Sequence, residues 1–371
     1  MLSLYERSWA SAGWLLRRSD AQAAHDRTQA LLRRADASAT AAALARVVGR
    51  ATLPRRPTRV GGVTLPTPIV LAAGFVKGQG FVDEATAQAA VARGESVIPG
   101  WRIMPGLVGA VELGSFTREA RPGNAGRVIW RDDATRSTQN RVGLRNPGAA
   151  AAAAFLRAQG TRLPRTFGVS LAVSPGVDDM EESTQQVREA AACFVSAFAG
   201  SARGPAWYTL NLSCPNTDDD PAGYQTDALA RRLCGALVES VDVPAWVKVG
   251  PGLPGDRYAL LVDAFADSGI SAVVATNTLA RPVPDGSTTA GLGGAALRPM
   301  ALDAVAHLGA AIRRRGASLD VIASGGILSG ADLVTFRSAG ASAAMIYSAL
   351  IFRGPLAAAL ILREAATASD A

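Results

Sequence analysis

Histidine, lysine and cysteine are scarce in this 371-residue chain, with two, two and three copies. His25 and His307 stand in unrelated settings, which argues against a zinc site built from histidines. Cys193, Cys214 and Cys234 are too few and too scattered for a disulfide framework or for an iron–sulfur cluster of the chain's own, so a reducing compartment is expected. The N-terminal segment has neither a long uncharged span able to cross a bilayer nor a signal-peptide pattern. The net charge of +7 comes without a dense basic run or a nucleic-acid module, and reads as surface charge suited to an anionic membrane or substrate. All but two of the 38 cations are arginines. Lys77 and Lys248, each beside an expected strand, therefore stand apart, because lysine offers a compact charge on a flexible stem where arginine imposes a planar fork.

Residues 1–48 read as a helical extension. An apolar and aromatic set (Leu2, Leu4, Tyr5, Trp9, Trp14, Leu15, Leu16) is interrupted by arginines, Asp20 is placed to cap a second helix through His25 and Leu32, and an Ala-rich third helix spans Ala37 to Val48. Such helices either lie in a membrane interface or cap the following domain. Residues 49–62, rich in Pro, Arg and Gly, read as a linker. From residue 63 to residue 371 the pattern becomes strand, loop and helix. Expected strands are Pro68–Gly74, Ala110–Leu113, Phe167–Val173, Trp207–Leu212, Ala245–Val249, Ala272–Ala275, Val321–Ala323 and Ala343–Ile346, with helices between the later ones. The polar stretch from Ser115 to Asn140 is too long for an ordinary connection and reads as a lid or subdomain. Eight strands with interleaved helices make a (β/α)8 TIM barrel of class α/β, whose site belongs at the C-terminal strand ends.

Those ends carry chemistry. The first leads to Lys77 and the second to Asn140; the fourth carries Asn211, Cys214 and Asn216, the fifth Lys248, and the sixth Thr276-Asn277-Thr278. Carboxamides, hydroxyls and a thiol suit a small, planar, polar ligand. The seventh and eighth ends, Ser324-Gly325-Gly326 and Tyr347-Ser348, fit a phosphate site and also fit a structural turn. Gly291-Leu292-Gly293-Gly294 reads as a further close backbone approach or as a flexible loop.

The ordered set Ala72-Ala73-Gly74-Phe75 with Lys77, Pro122-Gly123-Asn124, Asn140-Arg141-Val142-Gly143, Asn211-Leu212-Ser213-Cys214-Pro215-Asn216-Thr217, Val247-Lys248, Ala275-Thr276-Asn277-Thr278, Gly291-Leu292-Gly293-Gly294, Gly325-Gly326-Ile327 and Ile346-Tyr347-Ser348 resembles the dihydroorotate dehydrogenases. Ser19 to His25 resembles the membrane-associated, quinone-using class. The resemblance implies FMN, held by Ala73, Gly74, Ser170, Thr276, Gly293 and Gly294, with its phosphate near Gly325, Gly326, Tyr347 and Ser348 and Lys248 by its ring. It implies orotate bound by Lys77, Asn140, Asn211, Asn216, Asn277 and Thr278, with Cys214 as the base that takes the C5 proton. It also implies reoxidation by a quinone reached through the N-terminal helices, and peripheral association with the cytoplasmic face of the cell membrane. The pattern departs from the family in four places: cysteine replaces the quinone class's serine at position 214, Ser170 stands where asparagine is usual, Thr117 to Pro122 lacks the usual Pro-Arg-Pro-Gln, and Asp218-Asp219-Asp220 replaces a Pro-Gly-Leu-Arg loop. These departures leave open an FMN enzyme acting on another small amide-containing ring, or a non-catalytic flavin-binding barrel.

Overall fold

A computed structural model describes residues 2–213 and 226–369. Three helices lead: α1 (Leu2–Arg17), α2 (Ala21–Ala37) and α3 (Ala39–Thr52). Asp20 caps α2 by accepting the Ala23 N–H at 3.1 Å, and Ser38 caps α3 through the Ala41 N–H at 3.2 Å. Residues 49–62 hold the last turn of α3 and the first strand of an antiparallel hairpin, β1 (Thr58–Val60) and β2 (Val63–Leu65).

The barrel is assembled from β3 (Ile69–Leu71), β4 (Ala110–Phe116), β7 (Phe167–Leu171), β8 (Trp207–Asn211), β9 (Ala245–Val249), β10 (Ala272–Ala275), β13 (Asp320–Ser324) and β14 (Ala343–Ile346). These are the eight strands expected from the sequence, closed into a parallel ring in that order. Nearly every position in them is buried and most are apolar, as expected of strands covered on both faces. Between them come α4 (Glu84–Ala92), α5 (Met104–Val108), α6 (Ala149–Gln159), α7 (Met180–Phe198), α8 (Asp227–Ser240), α9 (Gly255–Asp267), α10 (Arg298–Arg315) and α11 (Gly330–Ser338), and after the last strand come α12 (Ser348–Arg353) and α13 (Ala357–Ser369). The excursion after β4 forms β5 (Ile129–Asp132) and β6 (Ser137–Asn140), which join β11 (Leu279–Pro282) and β12 (Thr289–Gly294) in a separate antiparallel sheet, ordered β11-β12-β6-β5. The stretch Gly291 to Gly294 thus belongs to a strand, paired with β6.

The barrel is closed at the N-terminal end of its strands. Trp207 and Trp246 stack there with ring centroids 4.5 Å apart, and the β1–β2 hairpin lies against them. Trp246 Nε1 donates to the Gly61 carbonyl at 2.9 Å, and the Gly61 N–H donates to Asp320 Oδ2 at 2.7 Å. Gly61 has φ +52°, and a Cβ on it would sit 2.4 Å from the Trp246 indole nitrogen, so the turn admits no side chain.

The leading helices dock on the barrel at several points. Asp36 accepts N–H bonds from Gly100 at 2.6 Å, Arg102 at 3.1 Å and Ile103 at 3.2 Å. Arg127 pairs with Asp20 at 2.8 Å, and Arg131 Nη2 donates to the Ser19 carbonyl at 3.0 Å. At the other end, Tyr5 donates to the Arg353 carbonyl at 3.0 Å, and Glu6 pairs with Arg353 and Arg363.

Candidate active site

β8 and β10 flank β9, and the carboxamides at their C-terminal ends meet across it. Asn277 Nδ2 donates to Asn211 Oδ1 at 3.1 Å and to the Ser213 carbonyl at 2.6 Å, while Asn211 Nδ2 donates to Ser115 Oγ at 3.2 Å. Ser115 Oγ in turn lies 2.6 Å from Ser170 Oγ. The chain of bonds fixes both amide planes and spends both Asn277 N–H groups within the protein, leaving one Asn211 N–H and one lone pair of Asn277 Oδ1 to a ligand. Lys248 enters the same space from β9 and is 7% exposed, a burial rare for an ammonium without an anion nearby. Glu112 on β4 supplies a neighbouring acid. It accepts from Trp207 Nε1 at 3.0 Å and from Thr209 Oγ1. Burial raises its carboxyl above the ordinary range, against the pull of these two bonds and of the Lys248 charge.

One cavity of about 590 Å³ gathers the described site residues except Ser170. At the barrel mouth it is lined by Ala73, Gly74 and Lys77 from the loop after β3, by Asn140 from β6, and by Asn211, Lys248, Thr276, Asn277 and Thr278. Gly293, Gly294, Gly325, Gly326, Tyr347 and Ser348 close its other side. Gly325 and Gly326 have φ of +124° and +80°, and a Cβ on Gly326 would lie 2.5 Å from that of Arg298. Thr138 Oγ1 and Ser348 Oγ are 3.1 Å apart beside these turns, and Phe75 packs edge-on against Tyr347 with ring centroids 5.4 Å apart. Ser170 is fully buried and reaches the cavity only through Ser115. Cys214, Asn216 and Asp218-Asp219-Asp220 lie outside the described residues.

The cavity continues away from the mouth, between α2 and the barrel. His25, Thr28, Gln29, Leu31 and Leu32 line it from α2, Met104 and Leu107 from α5, Arg131 from β5, and Leu350 and Ile351 from α12. Burial depresses the His25 imidazole to about 4; the Lys77 and Arg145 charges push the same way and Asp26 opposes them. At neutral pH it is therefore an uncharged ring, with one nitrogen to donate and one to accept. Sequence reading alone missed Ser115, Glu112, Thr138 and Arg131. Ser115 stands two residues past the expected end of its strand, and strand-end position was the signal available for it; nothing in the sequence marked Glu112 as more than an ordinary polar residue.

Over residues 57–368 the chain matches the family model described as dihydroorotate dehydrogenase. It is 31% identical over 350 residues to the dihydroorotate dehydrogenase (quinone) of Bordetella avium, covering 91% of this chain and 90% of that protein. To the protein of the same name from Cereibacter sphaeroides it is 31% identical over 378 residues, covering 98% and 92%. The crystal structure of DHODH in complex with ferulenol from Eimeria tenella matches with a TM-score of 0.69 at 21% identity, over 88% of this chain and 90% of that one, which is a likeness of fold.

Proposed function

The chain belongs to the dihydroorotate dehydrogenase family, and from that premise we propose that it oxidises (S)-dihydroorotate to orotate with FMN and a quinone acceptor, at the cytoplasmic face of the cell membrane. The observation that carries this reading is the single cavity that is amide-rich at the barrel mouth and largely apolar between α2 and the barrel. A polar heterocycle and a lipophilic acceptor can each find a matching end.

The described residues fit FMN by their chemistry. The positive-φ turn at Gly325 and Gly326, tight enough to exclude a Cβ, and the hydroxyls of Thr138 and Ser348 suit a phosphate. Ala73, Gly74, Thr276, Gly293, Gly294 and the Lys248 ammonium suit an electron-accepting ring, with Ser170 bracing Ser115 from behind. Bound there, FMN would supply a two-electron acceptor for the substrate's C6 hydride and a donor to the quinone. Asn140, Asn211, Asn277, Thr278 and Lys77, together with Asn216, hold the substrate's amide edges and carboxylate. Cys214, three residues beyond Asn211, takes the C5 proton. A free thiol titrates near about 8.5, so a modest depression gives a competent base at neutral pH. At the other end, neutral His25 and the Arg131 guanidinium offer hydrogen bonds to a quinone carbonyl. Leu4, Leu44 and Val47 on the leading helices are 59% to 70% exposed, apolar surface consistent with peripheral association. No helix among the described residues is long and apolar enough to cross a membrane.

An anaerobic visible spectrum of the purified protein tests this reading. Dihydroorotate should bleach the flavin bands and a soluble quinone should restore them. Bands indifferent to dihydroorotate would move the assignment to another amide-containing ring, a reading favoured by the Ser115–Ser170 pairing that ties up the Ser170 hydroxyl within the protein.

A further inference from the structure

A second groove, of about 750 Å³, lies at the opposite end of the barrel, where Pro66 and Thr67 lead into β3, Gly109 into β4 and Thr166 into β7. Nineteen residues line it, and seven are arginines. At the chain's overall arginine content about two would be expected. None of the nineteen is an aspartate or a glutamate. We infer that this groove is a binding site for a compound carrying several phosphate charges.

Arg46 and Arg50 come from α3, Arg55 follows it, and Arg162 and Arg165 come from the segment before β7. All five are exposed, and Arg102 and Arg203 sit deeper. None of the seven enters an ion pair among the described residues. Elsewhere on the barrel arginines do find carboxylates, as Arg315 does with Asp263 and Asp267 and Arg188 with Glu239. Arg50, in the last turn of α3, offsets that helix's negative end. That accounts for one cation and leaves six.

The two deeper guanidiniums are held in place by backbone oxygens. Arg203 donates to the Thr161 and Leu163 carbonyls, and Arg102 Nη1 donates to the Asp36 carbonyl at 2.9 Å while its Nε is buried without a hydrogen-bond partner. Such fixed planar donors suit phosphate oxygens and cost little to order on binding. The lining has no aromatic ring, asparagine or glutamine that could stack on or read a base, so the phosphates themselves are what it recognises. One short helix separates this groove from the cavity described above. Arg102, Pro105 and Gly106 face the groove, while Ile103, Met104 and Leu107 face the cavity.

Calorimetric titration of the full chain with inorganic tripolyphosphate, at moderate salt, tests the inference. The wild-type protein should bind, and the combined Arg46→Gln, Arg50→Gln, Arg165→Gln variant should bind at least ten-fold more weakly, since one charge-assisted contact is worth about that factor. A control with Arg313→Gln, Arg314→Gln and Arg337→Gln, all exposed and outside the groove, loses the same charge and should bind as wild type. Absence of wild-type binding, or equal weakening in both variants, overturns the site. Phosphatidylglycerol vesicles identify the source of the phosphate. Capture by wild type that tripolyphosphate displaces and the groove variant lacks makes it a lipid headgroup; vesicle binding unaffected by the groove variant, with tripolyphosphate binding lost, makes it a soluble compound. Should the groove variant fail to fold, phenylglyoxal modification of the wild-type protein decides. Tripolyphosphate should protect the groove arginines and not Arg313 or Arg314, and protection of neither set overturns the proposal.

Discussion

Asn277 and Asn211, 66 residues apart in sequence, share a side-chain hydrogen bond of 3.1 Å across the end of β9. The bond makes the two amides one rigid surface, so each sets the other's orientation as well as offering its own contacts. Asn277→Ala should therefore disturb both. With Asn211 Oδ1 and the Ser213 carbonyl both losing a donor, kcat/KM for dihydroorotate should fall by about ten- to a hundred-fold. Stopped-flow flavin reduction at several substrate concentrations measures this, and a change under two-fold would show that the pair does not hold the substrate.

Removal of the proposed proton acceptor should leave the cofactor in place. Cys214→Ala is expected to retain FMN and to slow flavin reduction by about 10²- to 10⁴-fold, the range for loss of a general base. Cys214→Ser should recover part of the rate with a pH profile moved upward, because a hydroxyl is the weaker acid. An unchanged rate in the alanine variant would reject the assignment.

His25 makes stability depend on pH in a defined direction. Its folded-state pKa of about 4 lies below the ordinary value of 6.5, so between those limits the unfolded chain binds the proton that the native protein refuses. Stability from this residue is complete above pH 6.5 and is lost as the pH falls toward 4. After allowance for partial exposure, the loss by pH 5 should be about 1–2 kcal/mol. In urea unfolding at pH 7 and pH 5, His25→Gln should lose less stability than wild type, and equal losses would refute the burial account.

Asp36 works in the opposite sense. Burial raises its carboxyl to about 6 although Gly100, Arg102 and Ile103 all donate to it, so its contribution declines as pH rises from about 4 to about 6. Asp36→Ala leaves three backbone N–H groups without their acceptor and should cost about 2–3 kcal/mol, read from the midpoint of urea unfolding at pH 7. A loss below 0.5 kcal/mol, on the order of an ordinary surface change, would show that water replaces the carboxylate.

The barrel was legible because its strands are apolar runs at steady intervals and because their ends carry the residues that chemistry requires. Asn211, Lys248 and Asn277 could be placed at one mouth from that rhythm alone. What could not be read depends on tertiary pairing. β12 is glycine-rich and has a loop's composition, yet its pairing with β6 makes it a strand. The third helix runs on to Thr52 through Gly49, a residue that ordinarily weakens a helix. The reason is packing against α5: a Cβ on Gly49 would lie 1.7 Å from the Gly106 carbonyl oxygen. The Ser115–Ser170 pair was hidden in the same way, since two small polar residues 55 positions apart show nothing of their 2.6 Å contact in the sequence.

The hairpin turn at Gly61 acts as a stopper. With the Trp207 and Trp246 rings above it, the barrel is a cup rather than a pipe, and whatever reaches Lys248 must arrive past the mouth. The two proposed partners of different polarity therefore share one vestibule, told apart only by the wall each approaches along, the asparagine ledge or the α2 slope. Even one methyl group at position 61 would pry the stopper loose, since it would press on Trp246 and Ala272 where the turn has no room, and would open a water route to the underside of Lys248.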